Sequence, residues 1–326
     1  MAKGSKTLEK TFEFFVFLVE PIVFFLFFFF SFFPFFLDIT TADIGENVNV
    51  LSGIEIGKSP PNIRFVDIGN GSINLIPNST KIVNCAVEIE DFDGEIDIKN
   101  VSAKFFHSTS FDNDVDDNNK HYTNNSCYIN ESYGDGNTVL ANCLFDVWYY
   151  ANAGIWNCSV VVDDYSNYEV NGSNITQVSS LLAVGLPSII NYGAVNSTYV
   201  SDESITEVIN FGNVIINLSL SGYAVSEGDN LSMNCTLGSL KNISIKYEKY
   251  NLTASTPGSL TLSQFEAAYI NLTSSPVVKK FGLNYRQNDT ENEAFNSTYW
   301  RIYVPVGVAG SCSGNIVFGA AQSSES

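Results

Sequence analysis

The sequence predicts an all-β chain, with an N-terminal apolar export or anchor helix followed by two tandem β-sandwich domains. Three observations carry that expectation. After residue 42 no segment keeps a helical apolar period, while alternation and short β-branched or aromatic runs recur between clusters of Gly, Asn, Asp and Ser. With 326 residues the chain exceeds the ~250 to 300 at which one core stops growing, so two cores are expected. The six cysteines include no C-x-x-C pair and no suitably spaced His, which favours structural disulfides in an oxidising compartment over zinc.

The first 42 residues differ from the rest. Lys3, Lys6 and Lys10 precede a run from Phe14 to Leu37 that is apolar apart from Glu20, Pro21, Ser31 and Pro34. Its core, Ile22 to Phe33, has the length of a signal-peptide apolar region; the full run could span ~30 Å of hydrocarbon with Glu20 inside it. Thr40-Thr41-Ala42 offers a small-residue cleavage site, so a cleaved signal peptide and a retained signal anchor both stay open. In either case lysines before the run and Asp38, Asp43 and Glu46 after it place the bulk of the chain outside the membrane. The expected layout is a signal peptide or anchor over 1–42, a first sandwich over 43–177 and a second over 178–326.

Charge narrows the partners. Sixteen Lys+Arg against 35 Asp+Glu give a net charge of -19, which repels phosphate backbones and anionic headgroups and argues against nucleic acid. Export also makes glycosylation sequons usable. They occur at Asn70, Asn78, Asn100, Asn124, Asn130, Asn157, Asn171, Asn174, Asn196, Asn217, Asn230, Asn234, Asn242, Asn251, Asn271, Asn288 and Asn296, with none in the first 42 residues.

Strands are expected in the first half at Lys81 to Glu90, Ile96 to Phe106, Cys143 to Tyr150 and Ile155 to Asp163, with a polar loop from Ser108 to Ser126. Tyr165 to Gln177, rich in Asn, Ser and Gly, reads as a domain boundary. Beyond it strands are expected at Ser188 to Tyr192, Glu207 to Leu220, Leu231 to Leu237, Ile243 to Tyr250, Ala267 to Leu272, Val277 to Tyr285 and Tyr299 to Val304.

Cys85 and Cys158 sit at matching heights in two of these strands, six residues before Asp91 and five before Asp163. The run "NAGIWNC", Asn152 to Cys158, resembles the D-x-G-x-Y-x-C stretch that leads into strand F of immunoglobulin domains, with Asn152 for the Asp and Trp156 for the Tyr. Residues 60–165 therefore resemble an immunoglobulin-like sandwich, which implies that Cys85 of strand B and Cys158 of strand F are joined across the core. Two features of that family are missing, the tyrosine corner and a strand-C Trp packed on the disulfide. Among the 15 connectivities six cysteines allow, Cys127–Cys143 is then the local candidate and Cys235–Cys312 the remaining pair.

The whole pattern, an export segment before sequon-rich β-domains containing "LFDVWYYANAGIWNC" and "YWRIYVPVGVAGSCSGNIVFGA", also resembles surface glycoproteins of archaea. That resemblance implies a cell-envelope location and a structural or adhesive role among other envelope proteins or glycans, with the membrane reached through residues 1–42 if they are retained. A pilin-like filament subunit and a carbohydrate-binding module are the alternatives; for the second, Trp148, Tyr149 and Tyr150, or Tyr299 and Trp300, would stack on sugars.

No catalytic residues are expected. Gly310-Ser311-Cys312-Ser313-Gly314 mimics a nucleophile elbow, but the two histidines, His107 and His121, lie far off in sequence and no helix is expected after Gly314. Calcium is the one cofactor proposed from the residues. In an immunoglobulin-like sandwich the loops after strands B and F share a pole, which would bring Asp91 and Asp93 of "DFDG" beside Asp163 and Asp164. Without a cation the same residues would form an ordinary hairpin turn. A second acidic run, Asp112-x-Asp114-x-Asp116, begins like a calcium loop but has Asp117 where Gly belongs.

Overall fold

In the computed structural model, residues 45, 49–69 and 71–324 are described; the apolar N-terminal run and the sequon asparagine Asn70 lie outside them. Met1–Ile56 separates from Gly57–Ser326 as a distinct unit, and the regular structure described here belongs to the second. Among the described residues no helix is long and apolar enough to cross a membrane.

The N-terminal half is built from nine strands in two sheets. They are β1 (Asn62–Asp67), β2 (Ser72–Ile73), β3 (Thr80–Glu90), β4 (Ile98–His107), β5 (His121–Asn124), β6 (Tyr128–Asn130), β7 (Thr138–Trp148), β8 (Gly154–Asp164) and β9 (Glu169–Val178). One sheet has the order β1-β3-β7-β6, the other β2-β9-β8-β4-β5, and every pairing is antiparallel except β2 with β9. Alternation decides which side chains enter: Val83, Cys85, Val87 and Ile89 of β3 face Val101, Ala103 and Phe105 of β4 and Trp156, Cys158, Val160 and Val162 of β8 in one buried cluster.

Covalent bonds close this core. Cys85 joins Cys158 between the sheets with Cα atoms 6.6 Å apart, and Cys127 joins Cys143 at 4.5 Å. In the chain-entropy picture these closures remove about 4 and about 3 kcal/mol of freedom from the unfolded chain. Cys85 and Cys143 are also register partners on neighbouring strands, so both bonds meet in one layer. Phe105, opposite Cys158 on β4, stacks on Trp156 with ring centroids 4.8 Å apart. The corner expected to be missing is present in altered form: Trp156, two residues before Cys158, donates its indole N–H to the Asn152 carbonyl at 2.8 Å. An indole has no hydroxyl, yet its one donor reaches the upstream backbone all the same.

Two expectations fail here. Tyr165 to Gln177 is not a loose boundary: Glu169–Val178 is β9, fully paired with β8. Its Asn, Ser and Gly residues are exposed or half-buried while Val178 enters the core, so a polar composition concealed a strand with one wet face. Nor is the polar loop unpacked, since Ser110, Asn119 and His121 are buried and His121–Asn124 forms β5 on the sheet edge.

The C-terminal half is antiparallel throughout. One sheet runs β10 (Val184–Gly185), β11 (Ser204–Asn210), β18 (Phe295–Ile302), β15 (Glu248–Asn251), β16 (Ile270–Asn271); another runs β17 (Val277–Leu283), β12 (Ile216–Tyr223), β20 (Asn315–Gln322). Val208, Leu218, Leu220, Tyr250, Leu283 and Trp300 form the core shared by these two sheets. A third sheet, β14 (Asn242–Ser244), β13 (Leu231–Gly238), β19 (Val308–Ser313), contributes Cys235, bonded to Cys312 on the neighbouring strand.

Here too the sequence misled in places. Glu207 to Leu220 is two strands, broken where Asn210 turns its side chain back on the chain: Gly212 N–H donates to its Oδ1 at 2.9 Å, and its amide donates to the Val214 carbonyl at 2.9 Å. A Cβ on Gly212 would lie 2.1 Å from the Leu181 carbonyl oxygen, so only glycine fits. Ser188 to Tyr192 is irregular, and Ile243 to Tyr250 is interrupted by a helical turn at Ile245–Tyr247. Ala267 to Leu272 begins inside α1 (Leu262–Ala268), which Thr261 and Gln264 start with a reciprocal capping box, a T-x-x-Q signal legible in the sequence.

Candidate metal centre

The strands deliver three aspartates to one end of the N-terminal half. β3 ends at Glu90, and Asp91 turns away from the sheet with its N–H on the Asn137 carbonyl at 2.7 Å. Its Oδ1 accepts the Asp93 N–H at 2.8 Å, Gly94 supplies a φ of 105°, and a single helical turn, Glu95–Asp97, leads into β4. At the end of β8, Asp164 points inward and accepts the Tyr168 N–H on Oδ1 at 2.7 Å, closing the turn into β9.

Carboxylate oxygens of Asp91, Asp97 and Asp164 lie within 4.8 Å of one another. Asp91 and Asp164 are 1% and 0% exposed, and in each Oδ2 is buried without a hydrogen-bond partner. Asp97 sits at the rim, its Oδ2 taking Lys58 Nζ at 3.3 Å and Ser166 Oγ at 3.2 Å. Burial pushes the Asp91 carboxyl above its ordinary range; the Asp93 N–H opposes this, and the charges of Asp97, Asp93 and Asp164 reinforce it. The Lys58 ammonium is held above its usual range by its hydrogen bond to Asp97.

Two of the four aspartates expected at this pole, Asp91 and Asp164, converge. Asp93 faces the incoming segment instead, accepting the Ser59 N–H at 2.7 Å, and Asp163 is half-buried on the opposite face of β8 because alternation turns it outward. Asp97 was overlooked. Its signal was a glycine turn followed by an acidic residue just before the first inward residue of β4, Ile98. The second acidic run does not converge: Asp112 pairs with Lys104 at 2.9 Å, Asp114 accepts from Ser110 at 2.8 Å, Asp116 contacts His121 at 3.0 Å and Asp117 accepts from the Asn119 N–H at 2.9 Å.

The other end of the same strands is a junction with the C-terminal half. Tyr149 and Tyr150, which the carbohydrate-binding alternative would use to stack on sugars, are each 1% exposed and packed as core aromatics instead. Tyr149 donates to Glu293 and Tyr150 to Asp289 at 3.0 Å, while the Arg286 guanidinium lies 4.6 Å over the Tyr150 ring. Asn119 donates to the Tyr150 and Arg286 carbonyls, both at 2.9 Å; Asn213 donates to Ala151 and Ser179 carbonyls at 2.9 and 3.1 Å and accepts the Leu181 N–H at 2.7 Å. Trp300 is likewise core, 0% exposed. At the elbow-like glycine turn, Cys312 is in a disulfide and Gly314 leads into β20 rather than a helix.

No family model matches the chain, and no curated protein does. Solved structures similar to it include the C-terminal domain of the antigen I/II polypeptide BspA of Streptococcus agalactiae, 10% identical over 81% of this chain and 100% of that one with a TM-score of 0.22. The C-terminal domain of the Streptococcus pyogenes antigen I/II-family protein AspA is 12% identical over 79% of this chain and 98% of that one, at 0.23. A carbohydrate-binding module of the β-sandwich superfamily is 8% identical over 81% and 97%, at 0.22.

Proposed function

We propose that this chain is a non-enzymatic structural or adhesive glycoprotein of the cell surface, working through contacts with other envelope proteins or glycans. Its two tandem sandwiches, 43–177 and 178–326, would stand outside the cell, secreted or held to the membrane by residues 1–42. The strand orders β1-β3-β7-β6 and β2-β9-β8-β4-β5, with the Cys85–Cys158 bond between them, support an immunoglobulin-like reading of the first. The observation that carries the proposal is the combination of cystine and asparagine placement. Among the described residues no cysteine is free and every sequon asparagine is exposed or half-buried, whereas the fully buried asparagines, Asn119, Asn210 and Asn213, all lie outside sequons. A chain with cysteines oxidised and glycan acceptors kept off its cores suits an oxidising exterior.

The test is the intact mass of the protein purified from its native cells, before and after reduction and enzymatic or chemical deglycosylation, together with protease accessibility on whole cells. Three disulfides, glycan mass on several sequons and cleavage from outside are expected. Free thiols in the native protein, or full protection in intact cells, would sink the proposal.

A further inference from the structure

We infer that the pole where Asp91, Asp97 and Asp164 meet is a cation site and that the ion it takes is Ca²⁺. Three carboxylates within 4.8 Å of one another fit around a single ion whose oxygen ligands stand at about 2.3 to 2.6 Å. Acidic clusters alone are common, so the decisive feature is a separate one: in two of the three members, Asp91 and Asp164, Oδ2 is buried without any hydrogen-bond donor. A native fold pairs nearly all such atoms, so each of these oxygens calls for a cation, a proton or a buried water, and three mutually repelling carboxylates favour the cation.

The donor set selects the class of ion. It is all oxygen, with no His or Cys in the group, which suits a hard cation rather than zinc or copper. Two of the three carboxylates are desolvated, so the ion must shed water to reach them, and Mg²⁺ does so reluctantly. Lys58 does not do this work: its ammonium reaches Asp97 at the rim, and its side chain is 55% exposed. One ammonium also leaves the ionised triad two charges short of neutral.

A bound ion would tie the turn after β3 to the turn after β8. It would also fix the incoming segment, because Ser59 docks on Asp93 and Lys58 on Asp97 in the same turn.

The experiment uses the full chain with its disulfides intact, stripped with EGTA and titrated with CaCl2 or MgCl2 by calorimetry and by thermal melting. The expected result is one saturable Ca²⁺ site per chain, with Kd of order 10⁻⁴ to 10⁻³ M and a melting temperature that rises with Ca²⁺ and much less with Mg²⁺. Asp164→Asn should abolish binding. Because that residue is fully buried, Asp97→Asn at the rim is the second variant, expected to fold and to weaken Ca²⁺ by about tenfold or more. Asp163→Asn should change nothing. Lys58→Gln should tighten Ca²⁺ by removing a competing charge. No saturable Ca²⁺ binding by the unaltered chain, or binding unchanged in both Asp97→Asn and Asp164→Asn, would overturn the inference and leave a protonated cluster capped by Lys58.

Discussion

The two ends of the N-terminal half solve the same electrostatic problem in opposite ways. At the junction, Asp289 and Glu293 meet tyrosine hydroxyls and the guanidinium of Arg286, and two buried asparagine side chains satisfy carbonyls on both sides. At the acidic end, carboxylates meet one another and two of their oxygens stay unbonded. The difference teaches that burial by itself does not mark a functional carboxylate. What distinguishes the acidic end is that its two unbonded oxygens belong to carboxylates facing a third carboxylate, whereas the unbonded oxygen at the junction, Asn119 Oδ1, belongs to a neutral amide.

The largest effect should come from breaking the satisfied end. Asn213→Ala would orphan the buried Ala151 carbonyl, the half-buried Ser179 carbonyl and the Leu181 N–H, and a loss of about 3 kcal/mol in unfolding free energy is expected, read by urea denaturation. An unchanged midpoint would mean that the junction is wetter than its geometry indicates.

A buried carboxylate away from both ends sharpens the contrast through pH. Glu248 is 2% exposed, accepts the Tyr192 hydroxyl at 2.8 Å, and burial pushes its pKa up to about 7 from 4.5, against the smaller opposing pull of that hydrogen bond. Because the folded state keeps its proton where the unfolded chain has lost it, stability declines as pH rises from about 4.5 to about 7. Glu248→Gln keeps the acceptor and removes the titration. It should be near neutral at pH 4 and more stable than the unaltered chain by roughly 2 to 3 kcal/mol above pH 7, measured as paired denaturation curves across that range. Parallel curves at every pH would show that the group is solvated.

The smallest effect belongs to the acidic end. In EGTA, Asp91→Asn preserves the Oδ1 acceptor for Asp93 N–H and removes one of three mutually repelling charges, so a gain of about 1 kcal/mol at neutral pH is expected by the same denaturation assay. A loss would mean that the cluster is already neutral.

Much of this was legible in the residues. Alternation placed the long strands carrying Cys85 and Cys158, because a half-buried strand with valine at every second position has few other readings. What escaped was whatever depends on partners distant in sequence. β9 looked like a linker because its polar residues face water, and β5 because its neighbours are loop-like. At the acidic end the pole and two of its aspartates were readable from the loops after two strands. The third, Asp97, was hidden because its approach depends on a glycine turn whose direction sequence does not specify, and Asp163 was misassigned by a single step of alternation.

Chain direction has a mechanical consequence. The chain enters β1 at the acidic end and leaves β9 at the junction end, so a pull between those points loads the β1–β3 and β8–β9 pairings, with the short parallel β2–β9 contact, in shear rather than peeling them. Should those contacts fail, the bond between residues 73 apart in sequence keeps roughly 250 Å of contour from paying out, and the Cys235–Cys312 bond, spanning 77, withholds a similar length. Under tension the chain would yield by short steps and stay tied.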